Sequence, residues 1–336
     1  MADCQTGPLG SVEEQCMKTL DAAKTMPAAS RPRKLKGSGL SYLKGNWILY
    51  AMLAMPLLYF FVFRYLPMIG ILVAFKDYNV FSGIVASPWS GLKSFREIFA
   101  MQEFPRAVRN TFVLNALDLV VGFPAPIILA IMLNELRFRK LKRVSQTLLY
   151  LPHFLSWVII GGLFLQLFSA EYGLVNNLIV KMGGQPIHFL TEKLNWIVTY
   201  TILGVWQGVG WNTIIYLASI SGVSAELYEA AVVDGAGRFR KIWHITLPGI
   251  KPTIIILLIL NIGRIVTIGF DRPFILGNNL IIEVSDVIST FVYRVGIQSF
   301  RYSIATAVGL FQSVIGMVFL LAANAIANRV GEQGIW

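Results

Sequence analysis

Residues 224–248 read SAELYEAAVVDGAGRFRKIWHITLP, a polar, helix-forming island between two long apolar runs. Ser224 suits a helix N-cap because its hydroxyl can accept a first-turn backbone N–H, and Glu226 puts negative charge where the helix dipole favours it. The run through Val233 holds good helix formers, and Asp234-Gly235 stops it. Glycine enters the left-handed region without a Cβ clash, so Gly235 is the expected reversal point. A second, basic helix is expected beyond it, with Phe239, Ile242, Trp243 and Ile245 interleaved among Arg238, Arg240 and Lys241, until Pro248 and Pro252 break the pattern. The stretch predicts a short amphipathic helix-turn-helix knob.

What flanks the knob is apolar. Of 336 residues, 55% are hydrophobic and 14% charged, which places the chain among multispanning membrane proteins. The net charge of +11 sits in blocks beside apolar runs, where it sets topology and meets anionic lipid, so nucleic acid is not an expected partner. Cys4 and Cys16, the only cysteines, both lie in the polar tail and make neither a disulfide framework nor a metal-ligand spacing. His153, His188 and His244 are scattered, which argues against a metal site or a catalytic triad.

Six runs reach the roughly 20 residues that a bilayer demands: 47–66, 111–133, 147–169, 196–220, 253–270 and 303–327. The expected fold is therefore all-α, with six transmembrane helices in a body at 46–336 and a polar, basic tail at 1–45 in which 12–26 could form a helix. Lys and Arg concentrate before the first run, between the second and third (Arg137, Arg139, Lys140, Lys142, Arg143) and in the knob's loop at 221–251. Since these residues resist transfer across the membrane, both termini and the knob are expected on the cytoplasmic side of the inner membrane. On the other side, 89–99 and 172–182 mix apolar and polar residues at helical spacing and should be ordered.

No Gly-x-x-x-x-Gly-Lys-Ser/Thr phosphate cradle occurs, so ATP-driven work would need a partner to hold the nucleotide. Ion-coupled carriers place acidic groups within the membrane, and here only Asp118 lies clearly inside a span. A self-contained secondary sugar carrier and a membrane-anchored scaffold both remain open on the residues alone.

The knob's full spacing narrows the choice. Glu229-Ala230-Ala231, then Asp234-Gly235 and, nine residues on, Ile245-x-Leu247-Pro248 resemble the permease subunits of binding-protein-dependent ABC importers. Leu151-Pro152-His153-Phe154-Leu155-Ser156-Trp157, Ser285-Asp286-Val287-Ile288, Tyr293-Arg294-Val295-Gly296 and Ala307-Val308-Gly309-Leu310-Phe311-Gln312-Ser313 are similar to the LplB-like polysaccharide permeases within them, from about residue 45 onward. The resemblance implies a type I importer fold with no covalent chemistry of its own. It further implies a second, non-identical permease, two copies of an ATPase that carry ATP and Mg, and a soluble substrate-binding protein. The knob becomes the coupling helix: Glu229 would pair with a basic group on the ATPase, Ala230 and Ala231 would permit close approach, and Gly235 would turn the chain. An oligosaccharide is the implied substrate, with an acidic, alginate-like fragment as the leading expectation.

Candidate residues along a sugar path are Trp157, Trp206, Gln207, Trp211, Asn212, Asn261 and Arg264, because aromatic faces stack on sugar rings and amides bond hydroxyls. Interfacial aromatic belts offer the competing explanation for the tryptophans. Arg264 reads as interrupting the fifth span; it either faces an acidic sugar, pairs with Asp118 or Asp271, or snorkels to the interface. With Arg272 and Arg294 it would give positive potential near the outer half of the last spans, which either suits a uronate polymer, serves topology or holds the binding protein. Gly204 and Gly208 form a small-xxx-small pair for close helix packing.

Overall fold

The structure is a computed structural model that describes residues 46–329 and Gly331; the possible helix at 12–26 lies outside the described residues. The chain divides between Leu66 and Pro67 into two units. The main elements are α1 (Trp47–Phe75), α2 (Lys93–Ala100), α3 (Glu103–Glu135), α4 (Arg139–Tyr150), α5 (Trp157–Leu167), α6 (Leu174–Lys181), α7 (Lys193–Ser221), α8 (Ala225–Val233), α9 (Arg238–Gly263), α10 (Asp271–Leu276), α11 (Ile288–Val292) and α12 (Tyr302–Arg329). No strand occurs among the described residues, only an isolated bridge between Lys76 and Trp89.

Among the described residues four helices, α1, α3, α9 and α12, are long and apolar enough to cross a membrane. The expected span 147–169 is instead broken: α4 with its following turn, Arg139–Phe154, meets α5 at a 100° bend. Pro152 cannot donate to the ladder, Leu155 is extended, and Ser156 starts a fresh helix by accepting from the N–H of Ile159. Counted as one span it makes a fifth. The remaining expected span is α7, an unbroken 29-residue helix made less apolar by Gln207, Asn212 and its threonines. That polarity has a cause, because α7 is the central helix, packed against α3, α4 and α9 rather than presented wholly to lipid.

The fifth expected span is displaced along the chain. Pro248 does not end a helix; α9 runs from Arg238 to Gly263 without a stop. A π-helical turn at Ile242–Thr246 widens the coil just before it, with the Leu247 N–H reaching back to the Ile242 carbonyl, and so absorbs the donor that Pro248 lacks. Helicity ends at Gly263, well short of 270.

Three buried clusters run the length of the main unit. Phe104, Ala107, Phe291, Ile304 and Ala307 gather at one end; Trp196, Tyr200, Leu203, Leu276 and Val287 in the middle; Ala130, Tyr216, Ile220 and Ile250 at the other end, beside α8. Outward faces stay apolar, as on α12, where Val314, Met317, Val318 and Leu321 form an exposed stripe at helical spacing suited to lipid. Gly210 permits the tightest crossing: a Cβ there would sit 1.9 Å from the Leu149 carbonyl oxygen at the end of α4.

Candidate functional site

The knob forms as its sequence predicts. Ser224 caps α8 by accepting from the Glu226 N–H at 3.2 Å. At the other end the Ala236 N–H donates to Ala231 (2.8 Å) and the Gly235 N–H to Val232 (3.1 Å), the paired bonds of a Schellman turn. Gly235 has φ +71° with open space where a Cβ would lie, so it is needed for its backbone and not for room.

The hairpin is anchored at its base and bare at its tip. The Tyr228 and Thr246 hydroxyls are 2.9 Å apart, and Val223 fits against Gly249, where a Cβ would come within 2.7 Å of it. Glu229, Ala230, Asp234, Gly235 and Pro248 are exposed, while Ala231, Ile245 and Leu247 are half-buried. Around them Val233 is 87% and Phe239 89% exposed, with Trp243 and Val232 also open. Uncovered apolar side chains among arginines, away from the lipid-facing stripes, form a surface suited to a protein partner.

The second feature is the break after α9. Arg264 does not interrupt a helix; it caps one, and its N–H donates to the Asn261 carbonyl. The unwound residues that follow have carbonyls with no helical partner, and side chains from distant elements take them up. Asn115 of α3 donates to Ile265 at 2.6 Å, and Gln312 of α12 donates to Val266. Gly263 and Gly316 let α9 and α12 cross closely enough, since a Cβ on Gly263 would lie 2.7 Å from Leu320 and one on Gly316 would lie 3.1 Å from the Gly263 carbonyl oxygen. Non-helical backbone is tolerated at membrane depth only where protein satisfies it in this way.

The unwound residues and the start of α10 form a strap at 264–272, at whose far end Arg272 grips Asp118 with two bonds, 2.9 and 3.2 Å, and donates to the Tyr200 carbonyl at 2.7 Å. Its guanidinium lies 3.5 Å above the Tyr200 ring and 5.7 Å from that of Trp157. Of the alternatives for Arg264, pairing with Asp118 does not form: Arg272 takes that carboxylate. Gly204 serves this grip and not helix packing, because a Cβ there would be 2.3 Å from the Arg272 guanidinium carbon; Gly208 meets only the Asn212 amide. Arg294 is likewise neutralised, by buried Asp286 at 2.7 Å.

The sugar-path candidates separate. Asn212, Asn261 and Arg264 come together in one cavity of about 230 Å³ with Phe123, Tyr216 and Leu257. Trp206 lines a different, mostly apolar cavity of about 490 Å³ with Phe164, Phe168 and Phe189. Trp211 stacks on His153, centroids 4.7 Å apart, and Trp157 packs against the middle buried cluster under Arg272. Gln207 lies half-buried on α7, lining neither cavity. Asn115 and Gln312 are not recognisable as site residues in advance: an amide in an apolar run is visible in sequence, but the backbone it satisfies, 150 residues away for Asn115 and 46 for Gln312, is not.

An all-helical membrane bundle with a bare inter-helix hairpin and a helix broken at depth defines a transport permease. The match is specific: residues 122–332 fit the family described as the binding-protein-dependent transport system inner membrane component. The protein LplB of Bacillus subtilis (strain 168) is 44% identical over 304 residues, covering 89% of this chain and 95% of that protein. The polygalacturonan/rhamnogalacturonan transport system permease protein YteP of the same organism is 45% identical over 321 residues, covering 95% and 100%. Among solved structures, a chain of a bacterial ABC transporter involved in the import of the acidic polysaccharide alginate superposes with a TM-score of 0.81 at 40% identity, covering 87% of this chain and 98% of that one. The alginate transporter was also solved in complex with an alginate pentasaccharide-bound periplasmic protein; a chain of it matches at a TM-score of 0.81. The chain belongs to the permease family of binding-protein-dependent ABC importers.

Proposed function

We propose that this chain is one permease subunit of an ATP-driven importer that moves oligosaccharide or polysaccharide fragments across the inner membrane, with acidic fragments favoured. The family and the names of its relatives support the substrate class. The observation that carries the mechanism is the bare hairpin: an anchored, capped α8 whose tip offers Glu229, Val232, Val233 and Phe239 to nothing among the described residues.

In this reading both termini and the hairpin face the cytoplasm, 46–336 is the permease body around the 221–251 loop, and 1–45 a polar tail. Each of two permeases, this one and a non-identical second, seats its hairpin in one of two ATPase subunits, which hold ATP and Mg. A soluble binding protein delivers the sugar to the opposite face. The acidic residue that lies clearly inside a span, Asp118, is already committed to Arg272, which weighs against a self-contained secondary carrier.

The test is reconstitution with the ATPase, the second permease and the binding protein. Glu229→Ala and Gly235→Val should insert normally yet lose sugar-stimulated ATP hydrolysis; normal stimulation in both variants would refute the hairpin's role.

A further inference from the structure

Charges inside a helix bundle are normally paired, because an unpaired one at membrane depth is costly. Arg272 and Arg294 obey this, with Asp118 and Asp286 as their partners. Among the described residues Arg264 has no carboxylate within ion-pair distance, and it lines a cavity that holds no acidic side chain. The surplus positive charge that the sequence distributes over three arginines is therefore concentrated on one.

The place suits a substrate. Asn212 lies nine residues before the end of α7, about 14 Å from its hairpin end, and Arg264 lies sixteen residues beyond Pro248, about 24 Å along α9. The cavity is thus near the middle of the bundle. Arg264, Asn261 and Asn212 are all exposed to it, while Tyr216 and Phe123 give it an aromatic wall. The Asn261 amide nitrogen donates to Leu257 at 2.8 Å, which fixes the side chain and leaves its oxygen to accept from a ligand hydroxyl. Arg264 is held in register by its tied neighbours, Ile265 through Asn115 and Val266 through Gln312. A planar guanidinium is built for a carboxylate.

Resting on the importer reading, we infer that Arg264 is the specificity-determining residue of this subunit: it receives the carboxylate of one uronate unit of the passing saccharide, with Asn212 and Asn261 at its hydroxyls. The carboxylate completes an ion pair that the protein leaves half-made, and a neutral sugar does not.

The full reconstituted complex tests this with two probes of one chain length, an oligogalacturonate and its methyl ester, each at saturating binding protein. For Arg264→Gln, transport and ATPase stimulation by the acid should fall about tenfold or more, the size expected for a lost charge-assisted bond, with the ester little changed. Arg264→Lys, which keeps the charge but loses the planar fork, should give an acid response between those of the wild type and Arg264→Gln, and Arg264→Glu should abolish it while sparing the ester. An equal loss for both probes would overturn the inference, as expected if Arg264 instead pairs with a carboxylate of the second permease; so would an unchanged acid response in Arg264→Gln. If neither sugar stimulates the wild-type complex, the importer reading itself fails, and this inference with it.

Discussion

The hairpin at 224–248 and the strap at 264–272 are both departures from a straight membrane helix, and they are held in opposite ways. Every bond that shapes the hairpin's turn joins residues within five positions: Ser224 to Glu226, Ala236 to Ala231, Gly235 to Val232. The strap is shaped from afar, by Asn115, Gln312, Asp118 and the Tyr200 carbonyl. A locally encoded element can be displaced as a body and keep its form, which suits a part that docks. An element defined by its neighbours changes when they move, which suits a part that must open and close around cargo.

Arg272→Gln should have the largest effect. It strands Asp118 and frees the Tyr200 carbonyl in a mostly buried setting, and a loss of about 3 kcal/mol in the unfolding free energy of the detergent-solubilised protein is expected. Gly204→Ala should reproduce much of that loss with both charges intact, because its Cβ takes the space of the guanidinium. The double variant should be little worse than either single one; strict additivity would show that Gly204 and Arg272 act separately.

Gly235→Ala comes next, at about 1–2 kcal/mol for forcing a Cβ into the left-handed region. Ser224→Ala should follow at about 1 kcal/mol for the lost cap. Hydrogen exchange should place both effects in 224–240 and leave the amides of α3 and α12 unchanged. Spread into those helices would break the contrast between the two regions.

The smallest effect concerns pH. The Lys193 ammonium, hydrogen-bonded to Glu283 outside the spans, holds that carboxyl below its ordinary value, with Arg106 and Arg109 adding to the pull. A lowered pKa contributes stability that is present above the unfolded value and lost as pH falls through the folded one. A small decline in melting temperature is therefore expected below the usual carboxylate range, and Glu283→Gln should flatten it.

The same contrast explains what could be read in advance. The knob's cap, stop and reversal were legible because Ser224, Asp234 and Gly235 act on their own neighbours. The order of 89–99 and 172–182 was legible from their apolar spacing, and a short helix forms at each, Lys93–Ala100 and Leu174–Lys181. Asn212, Asn261 and Arg264 were recognisable as polar residues in apolar runs, and the fold brought those three together. Their companions lie elsewhere: Trp157 and Trp211 look alike in sequence, but one supports an arginine and the other stacks on a histidine. Pro248 misled for a related reason. Proline removes a donor wherever it stands, but whether the helix ends or widens by one residue depends on the packing around it.

That widened turn has a mechanical consequence. Because α9 continues through Pro248, its 26 residues form a single strut of about 39 Å with Arg238 at one tip and the Arg264 cap at the other. Under the importer reading proposed above, a push delivered beside Gly237 would not be dissipated in a loop; it would reach the wall of the Asn261–Arg264 cavity as a translation of the same rod, so that fuel spent at one face and cargo released at the cavity would share one moving part.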